Sequence, residues 1–170
     1  MLFRSKDYYF HIANTPTHSY MRGLYKYPQT EFPYQHLVDE NGRRDRSQPE
    51  YELVDTGIFD QQRYFDVEIA YAKASATDIL IRIQATNRGP EAAPLTLLPT
   101  LWLRNTWGWG YPDEVRKPMQ LSGDRLITPV LADLDAYELC SRDQGSWLFT
   151  DNETNHQRLY GQDKIGRAHV

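Results

Sequence analysis

RYFDVEIAYAK, residues 63–73, decides the fold, because its apolar and polar side chains alternate without a break. Phe65, Val67, Ile69 and Tyr71 fall on one face and Asp66 and Glu68 on the other. After the turn-like ASATD (74–78), Ile79, Ile81, Ile83 and Ala85 repeat the pattern against Arg82, Gln84 and Thr86. Successive side chains of a strand point to opposite faces, so a period of two marks a half-buried strand. Two such runs joined by a short polar turn predict an antiparallel pair.

Working outward, NRGPEAAP (87–94) breaks the chain with Asn, Gly and two Pro. LTLLPTLWLRN (95–105) predicts a third strand, with Pro99 marking an edge or bulge and Trp102 a core side chain. MQLSG (119–123), RLITPV (125–130), AYELC (136–140) and SWLFTD (146–151) follow as shorter strand candidates at the regular spacing of sandwiches. Only FPYQHLVDENGRR (32–44) reads as a helix, with Tyr34, Leu37 and Val38 on one face and Pro33 suited to its first turn. The expectation is a mainly β chain, an antiparallel β-sandwich with one inserted helix. No internal repeat or low-complexity segment interrupts it.

The two ends read differently. Ile165–Val170 can be encoded ATC GGA AGA GCA CAC GTC, whose reverse complement, read in another frame from a GTG start, spells Met-Leu-Phe-Arg and the start of Ser, which is how the chain opens. Complementary ends are a mark of sequencing-adapter DNA rather than of a gene. Residues 1–5 and 164–170 are therefore expected to be library scars, and residues 6–163 a β-sandwich domain incomplete at both ends.

Without Arg4, Lys164 and Arg167, Lys plus Arg falls from 19 to 16 against 23 acidic residues, a net charge near −7. Nucleic-acid and anionic-membrane binders need clustered cations to neutralise phosphates, so neither partner is expected. GRRDR (42–46), a short and interrupted basic run, reads as a solvated helix end. The lone Cys140 can make no internal disulfide, and its place in AYELC suggests an inert core thiol. No apolar run approaches the roughly 18 residues of a membrane span. No signal peptide is visible, and a chain cut at its start would not show one. The location expected is cytoplasmic.

Aromatic residues dominate the candidate chemistry, with twelve Tyr and four Trp. In WLRNTWGWGYPDE, Trp107 and Trp109 stand two apart, so an extended backbone points both indoles the same way, with Gly108 and Gly110 leaving them uncovered. Flat aromatic faces beside Arg104, Asn105, Tyr111, Asp113 and Glu114 suit a sugar, whose C–H faces stack on rings while its hydroxyls pair with polar neighbours. The bland reading of the same tryptophans is sandwich core. NTPTHSYMRGLYKYPQTEFPY (14–34) is similarly dense, with Tyr20, Tyr25, Tyr27, Phe32 and Tyr34 around His18 and Lys26. Its length without clear period suggests a surface-covering loop, with Lys26 and Tyr27 as candidate substrate contacts, or aromatics that pack the loop onto the sandwich.

His11, His18, His36 and His156 lack metal-ligand spacing, there is no phosphate-binding glycine loop and no nucleophile elbow, and no metal or cofactor is expected. The NET sequon at 152–154 is too short a pattern to weigh. Asp55, Asp60, Asp66, Asp113 and Glu114 read as turn or solvent-face acids. A glycosidase needs two carboxyls at a defined separation, which sequence does not supply.

DYYF (7–10), NTPTHSYM (14–21), LYKYPQTEFPY (24–34), PEYELVDTGIFDQQRYFDVEIAYAKA (49–74) and DILIRIQATNRGPEAAPLTLLPTLWLRNTWGWG (78–110) together resemble, in phrase and order, the N-terminal part of bacterial proteins related to glycoside hydrolase family 63. These are glucosidases akin to mannosyl-oligosaccharide glucosidase, and the resemblance covers nearly all of residues 6–121. It implies a sandwich of the super-sandwich type preceding an (α/α)6 barrel, which holds the catalytic acid and base. The reaction implied is inverting hydrolysis of an oligosaccharide α-glucosidic bond, one carboxylic acid protonating the leaving oxygen and a carboxylate activating water. The barrel is missing from this chain, so no catalytic residue carries over. The implied role is that of an accessory domain that packs on the C-terminal barrel and rims its pocket.

Three rivals remain open. A free-standing carbohydrate-binding module needs an exposed aromatic platform and complete sheets, and hydrophobic edges count against it. A mutarotase-like enzyme needs a convergent His and Glu on a concave face. A structural interaction domain would bury both aromatic stretches.

Overall fold

A computed structural model describes residues 8–103, 118–130, 135–143, 145–150 and 156–161. It is mainly β, with antiparallel sheets of four and three strands and few helices. The chain divides into two compact units, Met1–Leu97 and Leu98–Val170. The suggested terminal scars, and with them the NET sequon, lie outside the described residues.

The first unit is built on β1 (Tyr8–Asn14), β2 (Tyr20–Pro28), β3 (Tyr64–Lys73) and β4 (Ile79–Asn87), hydrogen-bonded in that order. The pair expected from RYFDVEIAYAK and its successor is present, with Val67 opposite Ala85, Ile69 opposite Ile83 and Tyr71 opposite Ile81. The Ala74 N–H donates to the Asp78 carbonyl at 2.9 Å and closes the predicted turn. β3 has a strand on either side, and its Phe65 and Val67 are buried. β4 is an edge strand, and its Ile79 and Ile81 stay half exposed although their spacing is equally regular.

The middle of the stretch read as an irregular aromatic loop, Tyr20–Pro28, is instead β2, a central strand. Its period is hidden because both faces carry aromatics: Tyr20, Leu24 and the cations Arg22 and Lys26 on one, Met21, Tyr25 and Tyr27 on the other. The loop proper is Thr15–Ser19, tied by Thr15 N–H to the Tyr20 carbonyl at 3.0 Å and by Tyr20 N–H to Thr15 Oγ1 at 3.1 Å. His18 there takes a left-handed φ of 51°.

The expected helix is α1 (Tyr34–Arg43), with Pro33 at its N-cap. Of the apolar face named from sequence, Leu37 is buried while Tyr34 and Val38 are exposed. Asn41 ties the helix to the chain that follows. Its amide donates to the Leu37 and Tyr51 carbonyls at 2.9 and 2.8 Å and accepts from the Tyr51 N–H at 3.0 Å. A short 3₁₀ turn (Leu53–Thr56) then closes on Gly57, whose φ of 72° is the left-handed conformation that glycine adopts without steric cost. GRRDR does cap and leave the helix: Arg44 donates to the Pro49 carbonyl at 2.6 Å.

NRGPEAAP forms the expected turn, with Asn87 Oδ1 accepting from the Gly89 N–H at 2.8 Å. LTLLPTLWLRN does not give the third strand. Leu95–Leu103 is irregular, since Pro94 and Pro99 each remove a ladder donor, and Trp102, expected in the core, is 66% exposed.

In the second unit β5 (Gln120–Ser122) and β6 (Arg125–Ile127) form a hairpin across Gly123 and Asp124, and β7 (Glu138–Leu139) pairs with β6. Gly123, at φ 64°, fills the first turn position, where the two-residue hairpin turn calls for glycine. Leu126 and Thr128 are buried, and Thr128 exchanges hydrogen bonds with Tyr137. Pro129 stops RLITPV early, and among its described residues SWLFTD contributes a single bridge residue, Phe149. Cys140 lies just past the two-residue β7 and is exposed, not the core thiol expected from AYELC. α2 (His156–Tyr160) is a single short turn of helix.

Candidate functional site

Of the residues singled out for sugar contact, Arg104, Asn105, Trp107, Trp109 and Tyr111 lie outside the described residues, as do Asp113 and Glu114. Lys26 and Tyr27 are described, and the structure does not bring them together. They are consecutive in β2, so strand alternation sends them to opposite faces of the sheet.

Tyr27 belongs to an aromatic face. Tyr9 and Tyr25 stand directly opposite across β1 and β2 and stack with ring centroids 4.7 Å apart at 22°, and Tyr27 extends the row at 6.1 Å from Tyr25. Gly23 sits between His11 on β1 and Ile69 on β3. With no side chain there, a shallow apolar depression of about 220 Å³ opens, walled by Tyr9, Tyr25, Met21 and Tyr71. Tyr9 is 68% exposed, and Tyr27, Tyr71, Met21 and Ile81 are also open to solvent. Tyr9, His11 and Tyr71 were not singled out as site residues from sequence. The only signal for Tyr9 is the aromatic run Tyr8–Phe10, too short to fix a period.

Lys26 belongs to a charged face. Its Nζ lies 3.1 Å from Asp66 Oδ1 and 4.0 Å from the centroid of the Tyr64 ring, while Arg88 Nε meets Asp66 Oδ2 at 2.6 Å. One step along, Glu68 lies between Arg22 at 3.0 Å and Arg82 at 3.6 Å. Partial burial alone would raise the Asp66 carboxyl, but hydrogen bonds from Arg88 and Lys26, with the attraction of both cations, hold it below its ordinary value. Burial likewise opposes the Lys26 charge, and its bonds to Tyr64 and Asp66 outweigh that and raise it. Asp66 is thus no solvent-face acid but a half-buried carboxylate kept ionised, suited to holding the sheet together and unsuited to donating a proton near neutral pH. Asp55 is a turn acid as expected, accepting the Glu52 N–H at 2.8 Å.

Among the described residues no group of three or more His, Cys, Asp or Glu could hold a metal ion, and no helix is long and apolar enough to cross a membrane.

Compared with known proteins, the chain matches an uncharacterised protein of Saccharomyces cerevisiae, YMR196W, with 30% identity over 193 aligned positions, covering 94% of this chain and 18% of the yeast protein. The chain therefore spans less than a fifth of that relative's length. No family model matches the chain, and no solved structure matches it.

Proposed function

We propose that the chain is the non-catalytic N-terminal β-sandwich region of a cytoplasmic glucosidase resembling glycoside hydrolase family 63. The observation that carries this reading is the aromatic face of the four-stranded sheet, covered over Phe65 and Val67 and open to solvent over much of the rest. A strand pattern this regular, with Tyr9, Met21, Tyr27, Tyr71 and Ile81 left in solvent, is what one sheet of a sandwich presents where no partner layer covers it. Support comes also from Asp66, which Arg88 and Lys26 hold in its ionised form, a structural rather than a proton-donating carboxylate. On this reading a separate (α/α)6 barrel supplies the acid and base for inverting hydrolysis of an oligosaccharide α-glucosidic bond. The sandwich packs on that barrel, and the segment from Arg104 to Tyr111 rims its pocket.

The test uses the longer yeast relative, on the premise that the two share an activity. Purified whole YMR196W incubated with an α-glucoside should release glucose with inverted anomeric configuration, seen first as the β-anomer by proton NMR. This chain alone should release none. Failure of the yeast protein to hydrolyse any α-glucoside, or hydrolysis by this chain alone, would overturn the proposal.

The second reading, a stand-alone carbohydrate-binding module, is favoured by one feature, the stacked Tyr9 and Tyr25 beside the depression over Gly23. It requires that the chain bind maltooligosaccharides by itself and that Tyr9→Ala abolish the binding. The exposed Ile79, Leu80 and Ile81 of the β4 edge weigh against it.

A further inference from the structure

We infer that the outer edge of β4 is a strand-addition site for an extended polypeptide segment that carries acidic side chains on one face and apolar side chains on the other. The inference rests on the geometry of β4 and not on the glucosidase reading. β4 is the last strand of its sheet, and among the described residues no strand pairs with its outer side. It runs for nine residues, Ile79–Asn87, paired with β3 without a bulge or a proline. The opposite edge differs. β1 is broken by a register shift between His11 and Ala13, the irregularity by which natural edges are blunted against pairing.

The direction of the free groups follows from the ladder. Arg88 N–H donates to the Tyr64 carbonyl and Ala74 N–H to the Asp78 carbonyl, so the even-numbered residues of β4 bond inward to β3. The odd-numbered Ile79, Ile81, Ile83 and Ala85 turn their N–H and C=O outward. Their side chains form one face of the strand, and Ile79 and Ile81 are half exposed. An incoming strand would satisfy these backbone groups and lay alternate apolar side chains against the isoleucines, the mode in which main-chain bonds give affinity and alternate side chains give specificity.

Charge selects the partner. The strands' charged face, together with Arg88, sets four cations, Arg22, Lys26, Arg82 and Arg88, against two carboxylates, Asp66 and Glu68. The more exposed of these cations lie on the β4 side. Arg82 is 67% exposed and reaches Glu68 only at 3.6 Å, and Arg88 is 53% exposed. Arg82 and Arg88 share one face six residues apart, about 20 Å along a strand. Acids at matching positions of an added strand meet both guanidinium groups, and basic ones are repelled.

The probe is a seven-residue peptide with Glu at both ends, Thr at positions three and five and Val at the even positions, with a control in which Lys replaces Glu. In the full chain without peptide, the Ile79, Ile81, Ile83 and Ala85 amides should exchange with solvent much faster than those of Leu80, Arg82 and Gln84. The Glu peptide, its two ends opposite Arg82 and Arg88, should slow the Ile83 and Ala85 amides, leave those of Ile79 and Ile81 fast, and bind at least tenfold tighter than the Lys peptide at low salt. Ile83→Pro removes an outward N–H at the centre of the contact without touching the β3 ladder and should abolish binding, and Arg82→Glu should weaken it about tenfold. Equal binding of the two peptides, or none to a chain whose β4 ladder is protected, would overturn the inference. So would protection of the odd-numbered amides that rises with protein concentration alone, which would make the occupant a second copy of the chain.

Discussion

Lys26 and Asp66 face each other across β2 and β3, Nζ 3.1 Å from Oδ1, and the same carboxylate takes Arg88 Nε on its other oxygen at 2.6 Å. The Asp66 side chain is 13% exposed and Lys26 24%, so this pair lies between a solvent-screened ion pair and a buried one. Surface pairs contribute about 0–1 kcal/mol, and breaking a buried pair costs about 3–5 kcal/mol. Asp66→Asn should therefore destabilise the first unit by about 1–2 kcal/mol, measured by urea unfolding. A double-mutant cycle with Lys26→Met should return a coupling near 1 kcal/mol. Additive effects would mean that the two groups do not sense each other.

The same pair fixes how stability depends on pH. Asp66 titrates lower in the folded chain than in the unfolded one, so its contribution is complete above the unfolded value, about 3.9, and is lost as pH falls through the folded value. On the alkaline side Lys26 titrates higher when folded, so its contribution holds below about 10.4 and is lost as pH rises beyond. Tyr8 adds to the alkaline loss. Burial, with the nearby Glu52 and Asp55, raises its phenol, so above about 10 the unfolded chain ionises first. Thermal midpoints should decline below pH 4 and above pH 10, and Asp66→Asn should flatten the acid decline and, by removing one of the groups that raise Lys26, soften the alkaline one. An acid limb unchanged in that variant would exclude Asp66 as its source.

Gly23 lies inside β2, a central strand, at a position where a methyl group has room. A Cβ there would meet only the Phe10 carbonyl oxygen, at an ordinary contact distance of 3.7 Å. Glycine within a strand costs roughly 0.5–1 kcal/mol relative to alanine through backbone entropy. Gly23→Ala should thus stabilise this chain by about that amount while partly filling the depression between Tyr9, Tyr25, Met21 and Tyr71. A thermal midpoint that falls instead would show that the strand relies on glycine's backbone freedom. If the stabilised variant of the stand-alone reading also lost maltooligosaccharide binding, the depression would be the sugar contact.

How much of this was legible in the sequence depends on whether a strand's two faces differ in chemistry. β3 and β4 could be read to the residue because Phe65, Val67 and Ile69 alternate with Asp66 and Glu68, and Ile81 and Ile83 with Arg82 and Gln84. β2 could not, because Tyr20 and Leu24 on its charged face are as apolar as Tyr25 and Tyr27 on the other. With β2 unread, Lys26 and Tyr27 looked like neighbours on one loop, and the sheet's division into an aromatic and a charged face stayed hidden. The register that places Lys26 beside Asp66 joins residues forty apart in the chain, which local periodicity does not report. Trp102 and Cys140 were misplaced for a different reason: apolar composition suggested burial, but prolines stop the first segment from pairing and β7 ends before the second.

Gly57 offers the sharpest test of the segment between the helix and β3. It ends the 3₁₀ turn at φ 72°, its N–H bonds the Val54 carbonyl at 3.2 Å, and a Cβ built on it would stand 2.8 Å from Asp60 Oδ2. An L-residue in the left-handed region costs about 1–2 kcal/mol, and here the Asp60 carboxylate must also move aside. Gly57→Ala should lower stability by about 1–2 kcal/mol. Gly57→Asn, whose side chain tolerates this conformation better, should recover part of the loss. Because Asp60 sits at the end of a side chain, Asp60→Ala in the Gly57→Ala background should relieve the contact and leave only the backbone cost. Comparing the unfolding midpoints of these variants separates the two terms. Equal midpoints for the single and double variants would assign the whole cost to the backbone.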